Sequence, residues 1–415
     1  MAESMRIAMI GQKGVPATYG GIERHVEELG TRLAARGHHV TVFCRTGYSN
    51  HRGDHRGMHL RRLPTVRTKH LDAVVHSSLS TLVTMLDPPD IVHYHALGPG
   101  LLSPLPRYFS RAKVVLTVHG LDHLRVKWGR GARAVLQTAA WMGARVPDAT
   151  IGVSHSLADH YRTSYGRRIE HIPNGVTIGR PRPAKEITRR FGLVRGSYLL
   201  FVGRLVPEKA PDLLIRAYRC VPGNVRLVIV GGSSFTDGYA ASLRRLAAAD
   251  PRVLFTGYAY GAVLEELYAN AAAFVLPSYL EGLPLTLLEA VSYGTPVVVS
   301  DIPPHKEIVT GDAPGRRLFR SGDEGSLAEA LASTIETAPT ARGESATFSQ
   351  RVAGAYRWDD VAEATEDLYR RLLNGRPLRP SSWATGAAAS RTRAAPSANA
   401  MAASTGTTAS GRSRR

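Results

Sequence analysis

Cysteine is nearly absent from this chain. Only Cys44 and Cys220 occur in 415 residues, far apart and outside any CxxC or Cys/His ligand spacing. Neither a disulfide framework nor a zinc site is therefore encoded, which suits a reducing cytoplasm. Long apolar runs are missing too. No window reaches the ~18 consecutive apolar residues that a bilayer span needs, and the start, MAESMRIAMIG, has no basic stretch leading into an apolar one. Neither a membrane span nor a secretion signal is expected.

Acidic residues are scarce in the first half. Residues 1–180 hold 24 Lys+Arg against 12 Asp+Glu, residues 181–374 hold 22 against 22, and residues 375–415 hold 7 against none. A net charge of +19 would suit a nucleic-acid binder, yet neither aromatic stacking residues nor a reading helix accompanies it, so no nucleic-acid partner is expected. The basic first half would be drawn to phosphorylated substrates or to an anionic membrane surface. An arginine-rich composition spread over the surface would account for the same charge.

What is present is a globular composition, 43% apolar and 21% charged, in a chain long enough for two domains. RIAMIG (6–11) is a short apolar run ending in glycine. It is followed by a polar, glycine-rich loop and then by GIERHVEELGTRLAARG, whose Ile22, Val26, Leu29 and Leu33 share one helical face before Gly37 ends it. HHVTVFCR supplies the next strand. Apolar runs at 90–95, 113–120 and 149–154 continue an alternation of strands and helices, the pattern of a parallel sheet covered on both faces. After the Pro/Arg-rich RPRPAK (180–185) the pattern restarts, with runs at 198–204, 225–232, 253–257, 272–278 and 295–301. The fold class expected is α/β, two doubly wound Rossmann-like domains at 1–178 and 179–355. A closing helix at 356–374 follows, with Trp358, Val361, Leu368 and Leu372 facing a core, and then a flexible basic tail at 375–415 with almost no large apolar residues beyond Trp383.

The stretch SYLEGLPLTLLEAVSYGTPVVVSD (278–301) carries two acids, Glu281 and Glu289, eight positions apart across Pro284. A proline suits the first turn of a helix, so a helix is expected over about 284–293, with Glu281 in the loop before it and Glu289 inside it. Free N–H groups at Leu285 and Thr286 would form an anion site, and the flanking carboxylates would accept hydrogen bonds from sugar hydroxyls. In FVGRLVPEK (201–209), Arg204 and Lys209 follow a strand, where open parallel sheets bind their ligands. Together they could neutralise a diphosphate.

FVGRLVPEK, the acid, seven-residue, acid pattern EGLPLTLLE and SYGTPVVVSD make the second half resemble the nucleotide-sugar domain of retaining GT-B glycosyltransferases of family four. GQKGVPATYGGIE, TVHGLD, VSHSL and IPNGV resemble that family's acceptor domain, so the likeness covers about residues 5–374. It implies a retaining hexosyltransferase that moves sugar from a nucleotide-diphosphate sugar to a glycan or lipid-linked acceptor, in cell-surface polysaccharide synthesis. The resemblance also assigns residues. Catalytic roles fall to His119, Glu281, Arg204 and Lys209, and donor contacts to Gly20, Gly21, Gly203, Gly282, Leu285, Thr286 and Glu289 as well. No Asp-x-Asp occurs in the chain, so neither a metal nor a cofactor is expected. The chain has Ala210 where the family commonly has glycine, and His123 lies where relatives often carry an aromatic residue. His93 and His95 read as structural or acceptor-lining residues, two ligands being too few for a metal site. A rival reading, an NADP-dependent oxidoreductase with Arg45 on the 2′-phosphate, has GQKG in place of G-x-G-x-x-G and leaves 198–301 unexplained.

Overall fold

Strands buried on both faces need apolar side chains at nearly every position, and the apolar runs supply them: Leu199, Leu200 and Phe201, like Val297, Val298 and Val299, are fully buried. The computed structural model describes residues 3–375, apart from 19, 49–50, 52, 67, 69–70, 126–128 and 234–235, and apart from the side chains of 338–340 and 342. The expected tail, Trp383 included, lies outside the described residues beyond Gly375.

Thirteen strands form two sheets among the described residues. The first is built from β1 (Arg6–Ile10), β2 (His39–Arg45), β3 (His59–Leu63), β4 (Ile91–His95), β5 (Lys113–Val118), β6 (Ala149–Gly152) and β7 (Glu170–His171), in the spatial order β3-β2-β1-β4-β5-β6-β7. The second contains β8 (Tyr198–Val202), β9 (Arg226–Val230), β10 (Val253–Gly257), β11 (Ala273–Leu276), β12 (Val297–Ser300) and β13 (Arg316–Phe319), in the order β10-β9-β8-β11-β12-β13. Pairing between these strands is parallel throughout; Ile7 of β1, for example, stands opposite both Val40 and Ile91.

Strands β3, β7 and β13 were not anticipated from the sequence. All three are sheet edges. An edge strand can keep one flank in water, and HLRRL and RRLF accordingly lack the apolar run that marks a central strand.

Each sheet has one place where the order reverses, between β1 and β4 in the first and between β8 and β11 in the second. Loops leaving the carboxyl ends of such strand pairs diverge and leave a crevice, the usual binding place in open parallel sheets. The first crevice is bordered by the loops after Ile10 and His95, the second by those after Val202 and Leu276.

The last helix among the described residues, Trp358–Leu373, joins the core of the first sheet although it follows the second in sequence. Trp358, Val361, Leu368 and Tyr369 are buried with residues of β1, β2 and the helix Gly21–Ala35. Arg32 holds Asp359 at 2.9 Å and Arg36 holds Glu366 at 3.2 Å. Trp358 lies flush against the connecting segment: a Cβ on Gly175 would come within 2.5 Å of its ring. The neighbouring Val176 N–H donates to the Tyr356 carbonyl at 2.6 Å. Truncating a buried tryptophan removes a large apolar surface and leaves a hole, so Trp358→Ala should lower unfolding free energy by about 3 to 5 kcal/mol in a urea titration. A loss under about 1 kcal/mol would show that this helix is not part of the first core.

Candidate active site

The carboxyl ends of β5, β8 and β11 meet at a cleft lined by His119, Gly120, Leu121 and Arg125 from the first lobe and by Arg204, Glu208, Lys209, Leu280, Glu281 and Gly282 from the second. Five residues singled out in the sequence, His119, Arg204, Lys209, Glu281 and Gly282, therefore share one space. Lys209 Nζ donates to Glu281 Oε1 at 2.5 Å, and the Ser278 hydroxyl donates to the same oxygen at 2.7 Å. Burial works against the Glu281 carboxylate, but Lys209 and these hydrogen bonds outweigh it and hold it below the usual carboxylate range.

Arg204 is different. Among the described residues, none makes a hydrogen bond or ion pair with its guanidinium, although the group is partly buried where β8 ends. Burial, and then the charge of Arg125 across the cleft, press its pKa down from the ordinary arginine value. The carboxylates of Glu208, Asp122 and Glu23 offset this in part from a distance, but among the described residues none touches the guanidinium, which leaves its donors free for a ligand. The helix after the EGLP loop runs Leu285–Ser292, one residue shorter at each end than expected, with Pro284 extended at its cap. No side chain caps this end. The Thr286 hydroxyl in the first turn is buried with no hydrogen-bond partner among the described residues. Amide donors and a hydroxyl at this helix start are thus left without side-chain partners among the described residues.

Gly20 and Gly21 open the helix Gly21–Ala35, and a Cβ on Gly21 would lie 3.6 Å from Leu285 Cδ1, so the two helix starts face each other. Gly20 has φ +106°, and a Cβ there would collide with the Glu23 carboxylate. Gly203 occupies the turn just before Arg204. Glu289 lies apart from the cleft lining: Tyr268 donates to its Oε2 at 3.0 Å, and burial raises its pKa, offset in part by Arg24 of the facing helix. The lobes touch backbone to backbone at Gly282, where a Cβ would stand 2.1 Å from the His119 carbonyl oxygen.

His119 joins a group of imidazoles. His95 Nδ1 and His119 Nε2 are 3.3 Å apart, and the His25 ring packs edge-on to His119 at 4.7 Å between centroids. His25, His95 and His119 offer ligand nitrogens within 4.8 Å of one another, and among the described residues no carboxylate joins them. His93 turns elsewhere, to the Tyr369 hydroxyl at 2.6 Å and Thr117 Oγ1 at 2.7 Å. Burial pushes His25 down to about 4 and His93 to about 3, and keeps His95 and His119 well below the ordinary histidine value.

Four contributors were not singled out from the sequence: Asn174, Arg125, Glu208 and His25. Asn174 connects the lobes: its Nδ2 donates to the Leu283 carbonyl at 2.8 Å, and its Oδ1 lies 2.9 Å from His25 Nδ1. Arg125 and Glu208 face each other across the cleft. Glu208 sits inside a motif already quoted, between the two cations, while His25 and Arg125 carry no local signal. Arg45, which the oxidoreductase reading would use, is occupied by Asp72 at 2.5 Å. Ala210 adopts φ +50°, a left-handed conformation in which glycine would be unstrained, and this explains the family's preference there.

The model of glycosyltransferase family 4 matches residues 19–180, and that of glycosyl transferases group 1 matches residues 196–337. The chain is 30% identical to the glycogen synthase of Mycobacterium tuberculosis (strain H37Rv), over 89% of this chain and 96% of that protein. The chain belongs to the family-four glycosyltransferases. This glycosyltransferase is also 26% identical to the alpha-maltose-1-phosphate synthase of Mycolicibacterium smegmatis, over 89% of the chain and 100% of its relative. Among solved structures, sucrose-phosphate synthase from Thermosynechococcus elongatus superposes with a TM-score of 0.78 at 23% identity, covering 89% of this chain and 100% of that one. An Anabaena protein in complex with UDP-glucose gives 0.73 at 18%, covering 88% and 99%. These two likenesses bear on the fold, which is GT-B.

The glycosyltransferase's histidines make stability depend on pH. In the unfolded chain an imidazole takes up its proton near pH 6.5; in the folded one His25 does so only near 4 and His93 near 3. Between those values the unfolded state binds more protons, so stability present above pH 6.5 is lost as pH falls toward about 4. The melting temperature should therefore drop steadily from pH 7 to pH 4.5. A flat profile over that range would mean that the imidazoles are solvated.

Proposed function

We propose that this glycosyltransferase moves a hexose-type sugar from a nucleotide-diphosphate sugar to an acceptor hydroxyl, with retention of anomeric configuration and without a metal ion. The observation that carries this reading is the Arg204 guanidinium, without a hydrogen-bond or ion-pair contact among the described residues, sharing one cleft with Lys209 and Glu281; a few residues past Glu281 the helix start at Leu285 and Thr286 has no side-chain cap. These groups suit a diphosphate that gains charge as it leaves. The bond from the anomeric carbon to the diphosphate oxygen breaks, and the diphosphate keeps the electron pair. The acceptor oxygen then bonds to the same face of that carbon and gives its proton to the departing phosphate oxygen. Glu281, tied to Lys209 and Ser278, is placed to orient the sugar rather than attack it, and the neutral His119 imidazole can exchange hydrogen bonds with a sugar hydroxyl. Gly20 and Gly21 leave room for the phosphates, and Glu289 is the candidate for the ribose. The meeting of Gly282 with His119 supports assembly of the site by lobe closure. UDP-glucose, bound by the Anabaena neighbour, is the first donor to try.

Truncating the unpaired cation tests the core of this reading. Arg204→Ala should cut nucleoside diphosphate release by about 10²-fold or more, and the melting-temperature rise given by UDP, GDP or ADP to the parent protein should shrink. Sugar transfer at the parent rate would defeat the assignment.

The acceptor we propose is a lipid-linked glycan in cell-surface polysaccharide synthesis, reached by peripheral attachment to the inner membrane face. The basic first half supports attachment, and among the described residues no helix is long and apolar enough to cross a membrane. The protein should sediment with vesicles containing phosphatidylglycerol at low salt and release at high salt. Absence of binding in both conditions would remove the membrane from the account.

A further inference from the structure

The cleft holds one carboxylate that the reaction above does not use. Glu208 is the middle residue of the turn Pro207–Lys209, and its side chain is 5% exposed. Neither carboxylate oxygen has a hydrogen-bond partner among the described residues. Among the described residues the one cation within ion-pair range is Arg125 of the opposite lobe, whose Nε stands 4.0 Å away and whose other end is 3.0 Å from Asp122, while Arg204 acts on the carboxylate only from further off. The backbone is pinned by the Tyr279 N–H, which donates to the Glu208 carbonyl at 2.9 Å. A burial this complete, with both oxygens unsatisfied, costs stability. Groups that cost the empty protein stability and line a ligand cleft are characteristic of binding sites.

The chemistry of the vacancy is specific. A carboxylate can only accept, so its complement is a pair of hydroxyl donors, as on neighbouring carbons of a sugar ring. A phosphate group in the same place would face it charge to charge. The neighbouring cations are otherwise assigned, Lys209 to Glu281 and Arg204 to the donor diphosphate. Glu208 instead looks toward the segment His119–Arg125 of the first lobe, the acceptor side of the cleft.

We propose that Glu208 selects the acceptor: its two oxygens take hydrogen bonds from adjacent hydroxyls of an uncharged sugar and turn away a sugar that carries phosphate at that end. The assignment rests on the glycosyl transfer proposed above, and the experiment separates the two. Thermal shifts with UDP, GDP and ADP come first; if no nucleotide raises the melting temperature, glycosyl transfer itself fails. With the selected base, nucleoside diphosphate release from its glucose or mannose donor is followed with methyl α-glucoside and methyl α-mannoside, and with glucose 1-phosphate and mannose 1-phosphate. The neutral glycosides should stimulate release at least about tenfold more efficiently. Glu208→Ala should raise their KM about tenfold while the donor KM and the nucleotide thermal shift stay close to the parent values. Glu208→Gln and Glu208→Ala, measured without ligand, should melt higher than the parent, because a buried charge without hydrogen bonds has gone. Equal or better use of the phosphorylated sugars, no stimulation by either neutral glycoside, or an unchanged acceptor KM would overturn the proposal. So would a fall in melting temperature, which would make the Arg125–Glu208 pair a structural brace.

Discussion

A half-sheltered guanidinium that no carboxylate touches is the centre of the site, and among the described residues Glu208, Asp122 and Glu23 act on Arg204 only from a distance. Its partner has to arrive with the substrate. The Lys209–Glu281 pair beside it is already neutralised within the protein, so the two cations of FVGRLVPEK are in different states before any ligand binds. One is poised and the other is spent on holding a carboxylate in place. Nothing on the second lobe alone completes the surroundings, since His119, Gly120 and Arg125 come from the first. The fold's contribution is to bring the carboxyl ends of two reversing sheets face to face, so that the loops with the free amides, the cation and the imidazole come together.

Much of this architecture was legible in the sequence because the central strands of a parallel sheet must be apolar on both faces. Runs such as YLLFV and AFVL can hardly be anything else, and the strands sit within a residue or two of where those runs begin and end. Of the four edge strands among the described residues only β10, with its apolar run, was legible. HLRRL and RRLF need only one pairing partner and tolerate arginine, so their composition says nothing about strand formation. The site divides the same way. Residues in short motifs next to strand ends, Arg204, Lys209, Glu281 and His119, were visible because the motif and the strand end coincide.

His25 and Arg125 are known only from three dimensions, and so is the contact made by Asn174, although its motif IPNGV was visible. His25 is one residue on an amphipathic helix, and its meeting with Asn174 spans 149 positions of chain. No local pattern encodes such a distance. Glu289 lies where the spacing EGLPLTLLE put it, inside the eight-residue helix, where it meets Tyr268 and faces Arg24 of the opposing helix. The long helix Glu324–Ala355 and the glycine contacts at the lobe boundary complete the second half without adding chemistry.

The placement of the helix Trp358–Leu373 sets the order in which the molecule can be finished. Its apolar face is part of the first lobe's core, and Arg370 reaches back to the Glu3 carbonyl at 3.2 Å. As the chain leaves the ribosome, the amino-terminal lobe emerges first but lacks one wall until the other lobe has been synthesised. The lobe made first is thus the last to close, and a nascent chain stopped before residue 358 would present an open apolar face to the chaperones around it.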